Sequence, residues 1–364
     1  MSFRTRRVLY GSPLYALLDF FLLRYLFSLF GGINDLITIL IVVCLWIIHV
    51  VPMLYEEKKS TPLGRFLSTI DGVWTWFVVM LLIYLIIIFL VSIFIQIPME
   101  ILSLILLTIP IIGIYAYYNA HKLVIKEKEL YFEKLGEEYT IAHLSDVHFG
   151  SVRHRKIISD ITGKLNELSD TCDLTIISGD LADGSSVVEE DDLIEFKKVN
   201  MPVIFTSGNH DYYPGIKNVH AACQKAGLTI LENTGMKYKN LNIYGLSYSF
   251  SDIDMPSAEE VRQFIEDDKV NIVNYHIPNG WDELSELGFD LQLSGHTHGG
   301  QFYPAIFFGN RMYEGHNMGL FKKTINGLTY YLHVTTGVGS MDIPMRWGTN
   351  SEIVVLKLKP LKTE

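Results

Sequence analysis

The sequence predicts two units of different fold class: an α-helical membrane unit over residues 1–128 and an α/β domain over residues 129–364. Three observations predict it. Mean hydropathy over the 364 residues is +0.24, high for a soluble chain, with 49% hydrophobic and only 19% charged residues. Charge is divided unevenly: residues 1–128 carry ten Lys/Arg against seven Asp/Glu. Of the chain's 30 basic and 40 acidic residues, the remainder therefore hold 20 and 33. Beyond residue 129, long apolar stretches give way to short β-branched runs alternating with amphipathic segments.

The acidic surplus of the second unit argues against a nucleic-acid partner, whose phosphate backbone needs a basic surface. Three widely spaced cysteines, Cys44, Cys172 and Cys223, exclude a disulfide framework and a cysteine zinc site. They favour a reducing compartment.

In the first unit, about four helices are expected, over roughly 10–30, 34–55, 72–96 and 99–119. Residues 73–95 contain no charge, and 36–55 contain none when His49 is neutral. Each is long enough to cross a hydrocarbon layer of about 30 Å. The stretch 99–119 includes Pro110 and Gly113, which membrane helices tolerate. Segment 10–30 carries Asp19 and Arg24, so it either turns them into a bundle or lies on the membrane surface. Four spans gather Arg4, Arg6, Arg7, the loop residues Lys58, Lys59 and Arg65, and Lys122, Lys126 and Lys128 on one side. Asp35 and Glu100 fall on the other. That is the positive-inside pattern, predicting a multi-pass protein of the cell (plasma or inner) membrane with its α/β domain in the cytoplasm. No cleavable signal is expected, since no A-x-A-like site follows the basic start.

In the second unit, strands are expected at 139–144, 174–178, 202–207, 271–275, 291–294 and 331–336, with helices at 155–168 and 216–226. The first five runs are each followed by polar groups. These are Asp146-Val147-His148; Gly179-Asp180 with Asp183; Gly208-Asn209-His210-Asp211; His276; and Gly295-His296-Thr297-His298. Strand ends in an α/β sheet face a common crevice. Asp146 and His148, two apart, would project together from an extended segment, as would His296 and His298. Carboxylate and imidazole ligands select manganese, iron or zinc over calcium or magnesium. Seven ligands exceed one tetrahedral ion. They suit two ions if one carboxylate, most simply Asp180, bridges, and paired ions hydrolyse phosphate esters.

The ordered blocks DVH, GDLAD, GNHD, a solitary His and GHTH resemble the calcineurin-like metallophosphoesterase superfamily, across about 139–355. The resemblance implies a two-sheet sandwich flanked by helices. It implies that Asp146, His148 and His298 hold one divalent ion and that Asn209, His276 and His296 hold a second, with Asp180 bridging. Manganese is expected first, with iron or zinc as alternatives. His210 is implied as the general acid or phosphate-binding imidazole, with Asp211 orienting it and Asp183 supporting the ligands from behind. GHTHGGQ (295–301) and GVGSMDIPMRWG (337–348) resemble a membrane-attached bacterial branch that includes YkuE-like phosphoesterases and a UDP-diacylglucosamine pyrophosphatase. The reaction so implied is in-line attack on phosphorus by a water or hydroxide held between the ions.

Membrane attachment suggests the phosphodiester or pyrophosphate bond of a lipid-linked substrate. A tethered hydrolase of soluble nucleotides is the alternative, and a non-enzymatic metal-binding scaffold the third reading. Arg153, His154, Arg155 and Arg346 are expected substrate contacts. His143, in the opposite strand phase to the ligands, is expected to be structural, as are His49, His121 and His220. The apolar run 302–308 (FYPAIFF) is expected to be a buried strand, with membrane or acyl-chain contact as the alternative. Gly163-Lys164 lacks the flanking residues of a phosphate-binding loop.

Overall fold

The computed structural model describes residues 7–56, 59–250 and 255–361; Arg4, Arg6 and Lys58 of the basic flanks lie outside them. The first unit is built from α1 (Ser12–Ser28), α2 (Asp35–Tyr55), α3 (Pro62–Ser92) and α4 (Met99–Ala120). Helix starts follow local chemistry. The Asn34 side chain accepts from Leu36 N at 2.8 Å to begin α2. Thr61 accepts from Gly64 N at 3.0 Å with Pro62 at the first turn of α3. That cap starts α3 ten residues before the expected 72.

Helices α2, α3 and α4, of 21, 31 and 22 residues, are long and apolar enough to cross a membrane. α1 has 17 residues and is not one of these. Its Asp19 is turned inward and buried, accepting from Trp74 Nε1 at 3.2 Å, while Arg24 faces Asp35 at 3.5 Å. Trp76, Leu81, Leu85, Ile109 and Ala116 fill the bundle interior. Leu40, Ile86, Phe89 and Ile114 lie exposed on its outside, an apolar outer surface of the kind that buried or membrane helices carry.

The second unit is a sandwich of two six-stranded sheets. The first contains β1 (Leu123–Phe132), β2 (Tyr139–Leu144), β3 (Leu174–Ser178), β4 (Val203–Thr206), β5 (Thr229–Ile230) and β12 (Ser351–Pro360), in the order β1-β12-β2-β3-β4-β5. The second contains β6 (Thr234–Tyr238), β7 (Leu241–Leu246), β8 (Val270–Tyr275), β9 (Leu291–Ser294), β10 (Gly319–Ile325) and β11 (Leu328–Val334), in the order β10-β11-β9-β8-β7-β6. β2, β3, β4 and β5 run parallel, as do β7, β8, β9 and β11. Ile141, Ile176, Ile204, Ile243, Ile272, Leu293 and Leu356 interleave between the sheets.

Outside the first sheet, α5 (Arg155–Leu168) and α6 (Ile216–Ala226) lay Ile158, Ile161 and Val219 on Leu144, Ile177 and Phe205. Outside the second, α7 (Ala258–Arg262) and α8 (Trp281–Leu287) cover Tyr244 and Val273. The strands buried on both faces are those whose sequence is a continuous apolar run.

Two sequence expectations change. The boundary expected at 128 falls inside β1, which pairs with β12 from Leu123↔Ser351 to Phe132↔Pro360. Its alternating Lys126, Glu127, Lys128 and Glu129 hid an edge strand. The run 302–308 is not a buried strand but leads into α9 (Ala305–Met312), because only Phe302 and Ile306 find apolar cover there.

Candidate metal centre

The carboxyl ends of β2, β3, β4, β8 and β9 converge and deliver all seven expected ligands. Five of the seven have left-handed backbone: Asp146 (φ 51°), His148 (49°), Asp180 (53°), His296 (69°) and His298 (51°). Such conformations cost roughly 1–3 kcal/mol each in an L-residue and collect where function demands them. Asp146 and His148 therefore converge through two tight reversals and not through the extended alternation expected. Backbone bonds hold the reversals: Asp146 N donates to Gly179 O and His148 N to Asp180 O, both at 3.0 Å. Gly179 (φ 81°) admits no side chain, since a Cβ there would lie 2.5 Å from His276 Nδ1 and 2.7 Å from Gly208 N.

Two groups of ligand atoms result, Asp146/His148/His298 and Asp180/His276/His296, each lying within 4.8 Å of one another. In the first, His298 Nε2 stands 3.4 Å and His148 Nε2 3.7 Å from Asp146 Oδ1. In the second, His276 Nε2 is 3.0 Å from Asp180 Oδ2 and 3.3 Å from His296 Nδ1. His148 Nε2 lies 3.9 Å from Asp180 Oδ2, so Asp180 faces both groups. The Nδ1–H of His276 donates to Ser178 O at 2.6 Å, which leaves Nε2 for the centre.

The donors fit divalent ions on a further observation. Asn209 Oδ1 is buried and, among the described residues, has no hydrogen-bond partner; an ion would supply one. Charge follows the same pattern. Burial alone would raise Asp146, yet the imidazoles of His298, His148 and His276 hold its carboxyl well below the usual range. Against the same burial, His276 and then His148 and His210 bring Asp180 to about 2. Burial would lower His276, but Asp180 and Asp146 push it up to about 9. Burial and the His276 charge pull His296 down to about 4. Protons and ions would compete here for the same lone pairs.

His210 stands at the edge of the centre, with its ring 4.9 Å from that of His148. Its backbone N–H donates to Asp180 Oδ1 at 2.8 Å and its Nδ1–H to Asp183 O at 2.9 Å. The carbonyl of Asp183, not Asp211, therefore orients the imidazole. Both Asp211 oxygens accept backbone N–H groups, from Asp180 and Gly208 on one side and Ala182 on the other, at 2.8–2.9 Å. Burial and then Asp180 raise the Asp211 carboxyl to about 7. Asp183 spends its own carboxylate on Ser185 N at 2.6 Å, and burial raises it to about 6.

The expected substrate contacts are engaged elsewhere. Arg346 is fully buried, donating to Thr336 O and Gly339 O at 2.6 Å and approaching His298 Nδ1 at 3.4 Å. Arg153 donates to Ala120 O at the end of α4, and burial lowers its guanidinium to about 10. Arg155 pairs with Asp192 at 3.0 Å, and the His154 ring lies against Phe149 at 4.7 Å. Arg153 thus ties the domain to α4 and Arg346 is closed in by the 336–349 loop, while His154 and Arg155 contact other residues of the domain. His143, His220, His49 and His121 are held structurally, by His333 and Ser178, by Ser207, by Asp71 and by Tyr117 O respectively.

Three features escaped the sequence reading. Tyr213 and Phe250, both exposed, form an aromatic rim beside His210, with Tyr213 at 5.0 Å from its ring. Tyr313 stands 6.1 Å from His296. Asn119 of α4 donates to Arg346 O at 3.2 Å and Thr349 O at 2.7 Å. The Tyr212-Tyr213 pair directly after GNHD was the one available signal.

Convergent carboxylates and imidazoles at the strand ends of a two-sheet sandwich make a candidate centre for divalent ions. A family model described as calcineurin-like phosphoesterase matches residues 139–300. The chain is 30% identical over 242 residues to an uncharacterised metallophosphoesterase of Helicobacter pylori, covering 65% of this chain and 64% of that protein. It is 26% identical over 238 residues to the uncharacterised metallophosphoesterase YkuE of Bacillus subtilis (61% and 79%). A transmembrane protein with metallophosphoesterase domain of Danio rerio is 26% identical over 273 residues (68% and 60%). The chain thus spans just under two thirds of the Helicobacter relative's length.

Proposed function

We propose that this chain is a membrane-anchored phosphoesterase that uses two divalent ions to hydrolyse a phosphodiester or pyrophosphate bond of a lipid-linked substrate at the cytoplasmic face. The observation that carries the activity is the pair of ligand groups facing a shared Asp180, with the orphaned Asn209 oxygen among them. Asp146, His148 and His298 would hold one ion, and Asn209, His276 and His296 the other. Manganese suits this mixture of carboxylate and imidazole, as do iron and zinc. When bound, such ions neutralise phosphoryl oxygens and make water acidic enough to react near neutral pH. The chain's own contribution is positioning. Asp183 O fixes the His210 tautomer, so that Nε2 is the nitrogen free to exchange a proton with a leaving oxygen. Burial and the neighbouring His148 lower its affinity for that proton.

The lipid-linked part rests on the seam between the units. Met345 packs into the α3–α4 interior, and Arg346 N donates to Ala116 O of α4 at 2.9 Å, while its guanidinium reaches His298. The anchor is thereby one residue removed from a metal ligand's neighbour. α1 is proposed as a fourth membrane helix, its buried Asp19 turned to α3. A second reading, a tethered hydrolase of soluble nucleotides, draws on the exposed Tyr213 and Phe250 rings, which could stack on a base.

The test is hydrolysis of bis-p-nitrophenyl phosphate, nucleotides and membrane lipid extracts by the detergent-purified chain with manganese. Asp180→Ala and His296→Ala should each lose roughly 10²–10³-fold in turnover, the range seen when electrostatic stabilisation of charge is removed. Wild type that carries two ions yet turns over none of these overturns the enzymatic reading. Nucleotide turnover with no lipid turnover overturns the lipid-linked one.

A further inference from the structure

Helix α9 connects the membrane seam to the metal centre. At its start, Phe302 is buried with Trp76 of α3 and Leu106 of α4. The Tyr303 ring stands 5.4 Å from Trp347, which packs on that same cluster, and 5.4 Å from Phe307. Ile306 is seated against Gly300 and Gly348. At its end, Tyr313 stands 6.1 Å from the ligand His296. Between these anchors the outer face is apolar and uncovered: Phe307 is 64%, Phe308 69% and Met312 71% exposed, with exposed Arg311 among them. Phe308 and Met312 are one turn apart, so they share a stripe.

We infer that α9 is an interfacial helix, lying in the headgroup and upper acyl layer of the bilayer that anchors the chain. Phe307, Phe308 and Met312 dip into lipid, and Arg311 reaches lipid phosphates. Continuity identifies the occupant: the stripe extends the aromatic row Trp76, Trp347, Tyr303, Phe307, which begins inside the helix bundle. Aromatic rings and arginine are the residues that settle at the water–lipid boundary. A lipid substrate would then reach His296 along α9, with acyl chains on the phenylalanines and its phosphate at the metals. The inference rests on the membrane-anchored reading above, but the depth of α9 can be measured without turnover.

The full chain carrying Cys44→Ser, with Cys172 and Cys223 buried, is labelled with a nitrobenzoxadiazole fluorophore at Phe308→Cys. A second sample is labelled at Lys239→Cys, in the turn between β6 and β7, at the pole opposite the strand ends. Both are reconstituted in phosphatidylcholine–phosphatidylglycerol vesicles. Spin-labelled lipid should quench position 308 several-fold more than 239, and aqueous iodide should show the reverse order. Equal iodide access at the two positions overturns the inference.

A Phe307→Ser/Phe308→Ser chain should keep its turnover of bis-p-nitrophenyl phosphate. It should lose about tenfold on an acyl-chain p-nitrophenyl phosphodiester presented in vesicles. An unchanged ratio of the two rates overturns the access role. Failure of wild type on the soluble substrate would instead strike the catalytic reading and leave the quenching result standing.

Discussion

The two oxygens of Asp180 do different work: Oδ1 accepts the His210 backbone N–H at 2.8 Å, while Oδ2 faces His276 at 3.0 Å. A single carboxylate thus ties the second ligand group to the loop that carries the proposed proton donor. Because His276 is held near 9 without an ion, loading manganese at pH 7 should release at least one proton per chain. Calorimetry in buffers of different ionisation enthalpy measures it, and buffer-independent heats would contradict it. Deeper in the sandwich, His143 and His333 stand ring to ring, with Nδ1 atoms 2.7 Å apart, and His143 Nε2 continues to Ser178 Oγ at 2.7 Å. The strand phase of His143 made its structural role legible, but its partner was not, since nothing in sequence pairs residues 190 positions apart. Burial drops His333 to about 4 from an ordinary 6.5, and His143 well below its own ordinary value. Both are lowered bases, so the unfolded chain takes up protons first. Stability is fully present above pH 6.5 and is lost as pH falls toward 4. His333 accounts for roughly 3 kcal/mol of that loss. His333→Gln, which keeps an amide toward His143 without titrating, should flatten the fall in Tm between pH 6.5 and 4.

The loop from Gly337 to Asn350 is the element on which both units depend. Its Arg346 bridges Thr336 O, Gly339 O and Thr349 Oγ1 and abuts His298, while its backbone is bonded to Ala116 and Asn119 of α4. Arg346→Ala leaves two buried carbonyls unpaired, roughly 1–3 kcal/mol each, and removes the group behind His298. Its affinity for the first ion should fall by roughly 10–100-fold. Asn119→Ala should loosen α4 and lower Tm while both ions stay bound. Metal analysis after dialysis separates the two, and equal ion loss in both variants would contradict the assignment. Sequence marked this loop by a resemblance but misread Arg346 as a substrate contact, because a charged residue beside a tryptophan looks exposed until its carbonyl partners are known. The legible elements were the strands buried on both faces, β2 and β3, and the amphipathic helices α5 and α6, which fall where their apolar patterns put them. β1 was hidden by surface charges that β12 alone explains, since its Lys126 meets Glu352 at 2.7 Å. α9 was mistaken for a strand because aromatic residues favour strands in general, and on the interfacial reading proposed above lipid covers its exposed phenylalanines.

Across the whole molecule, charge is arranged along one axis. The domain's surplus of acids, 33 against 20 bases beyond residue 128, would be repelled by an anionic leaflet, so the surface nearest the bilayer must be basic for the two to lie together. The residues at that level satisfy the requirement. Lys59 lies in the α2–α3 connection and Arg65 in the first turn of α3, β1 leaves α4 through Lys122 and Lys126, and α9 adds Arg311. Arg65 lies close enough to His154 of the domain to help lower its imidazole, after burial, and Ala120 O accepts from Arg153, so the start of α3 and the end of α4 both face the domain. The connections at the far ends, around Asp35 and Glu100, contain no Lys or Arg after Arg24. The hydropathy of the sequence made legible three helices long and apolar enough to cross a membrane, and its charge suggested a side; the ends of α3 and α4 that face the sandwich are those flanked by Arg65, Lys122 and Lys126. This arrangement predicts a cytoplasmic domain. In intact cells expressing the Cys44→Ser chain, a membrane-impermeant maleimide should label Gln96→Cys in the α3–α4 connection. It should leave Lys239→Cys unlabelled until the membrane is broken. Labelling of position 239 but not 96 in intact cells would reverse the topology and move the proposed substrate to the opposite leaflet. The candidate metal centre would keep its geometry in that case, since its ligands lie just beyond the strand ends of the sandwich and none on the helices that choose the side.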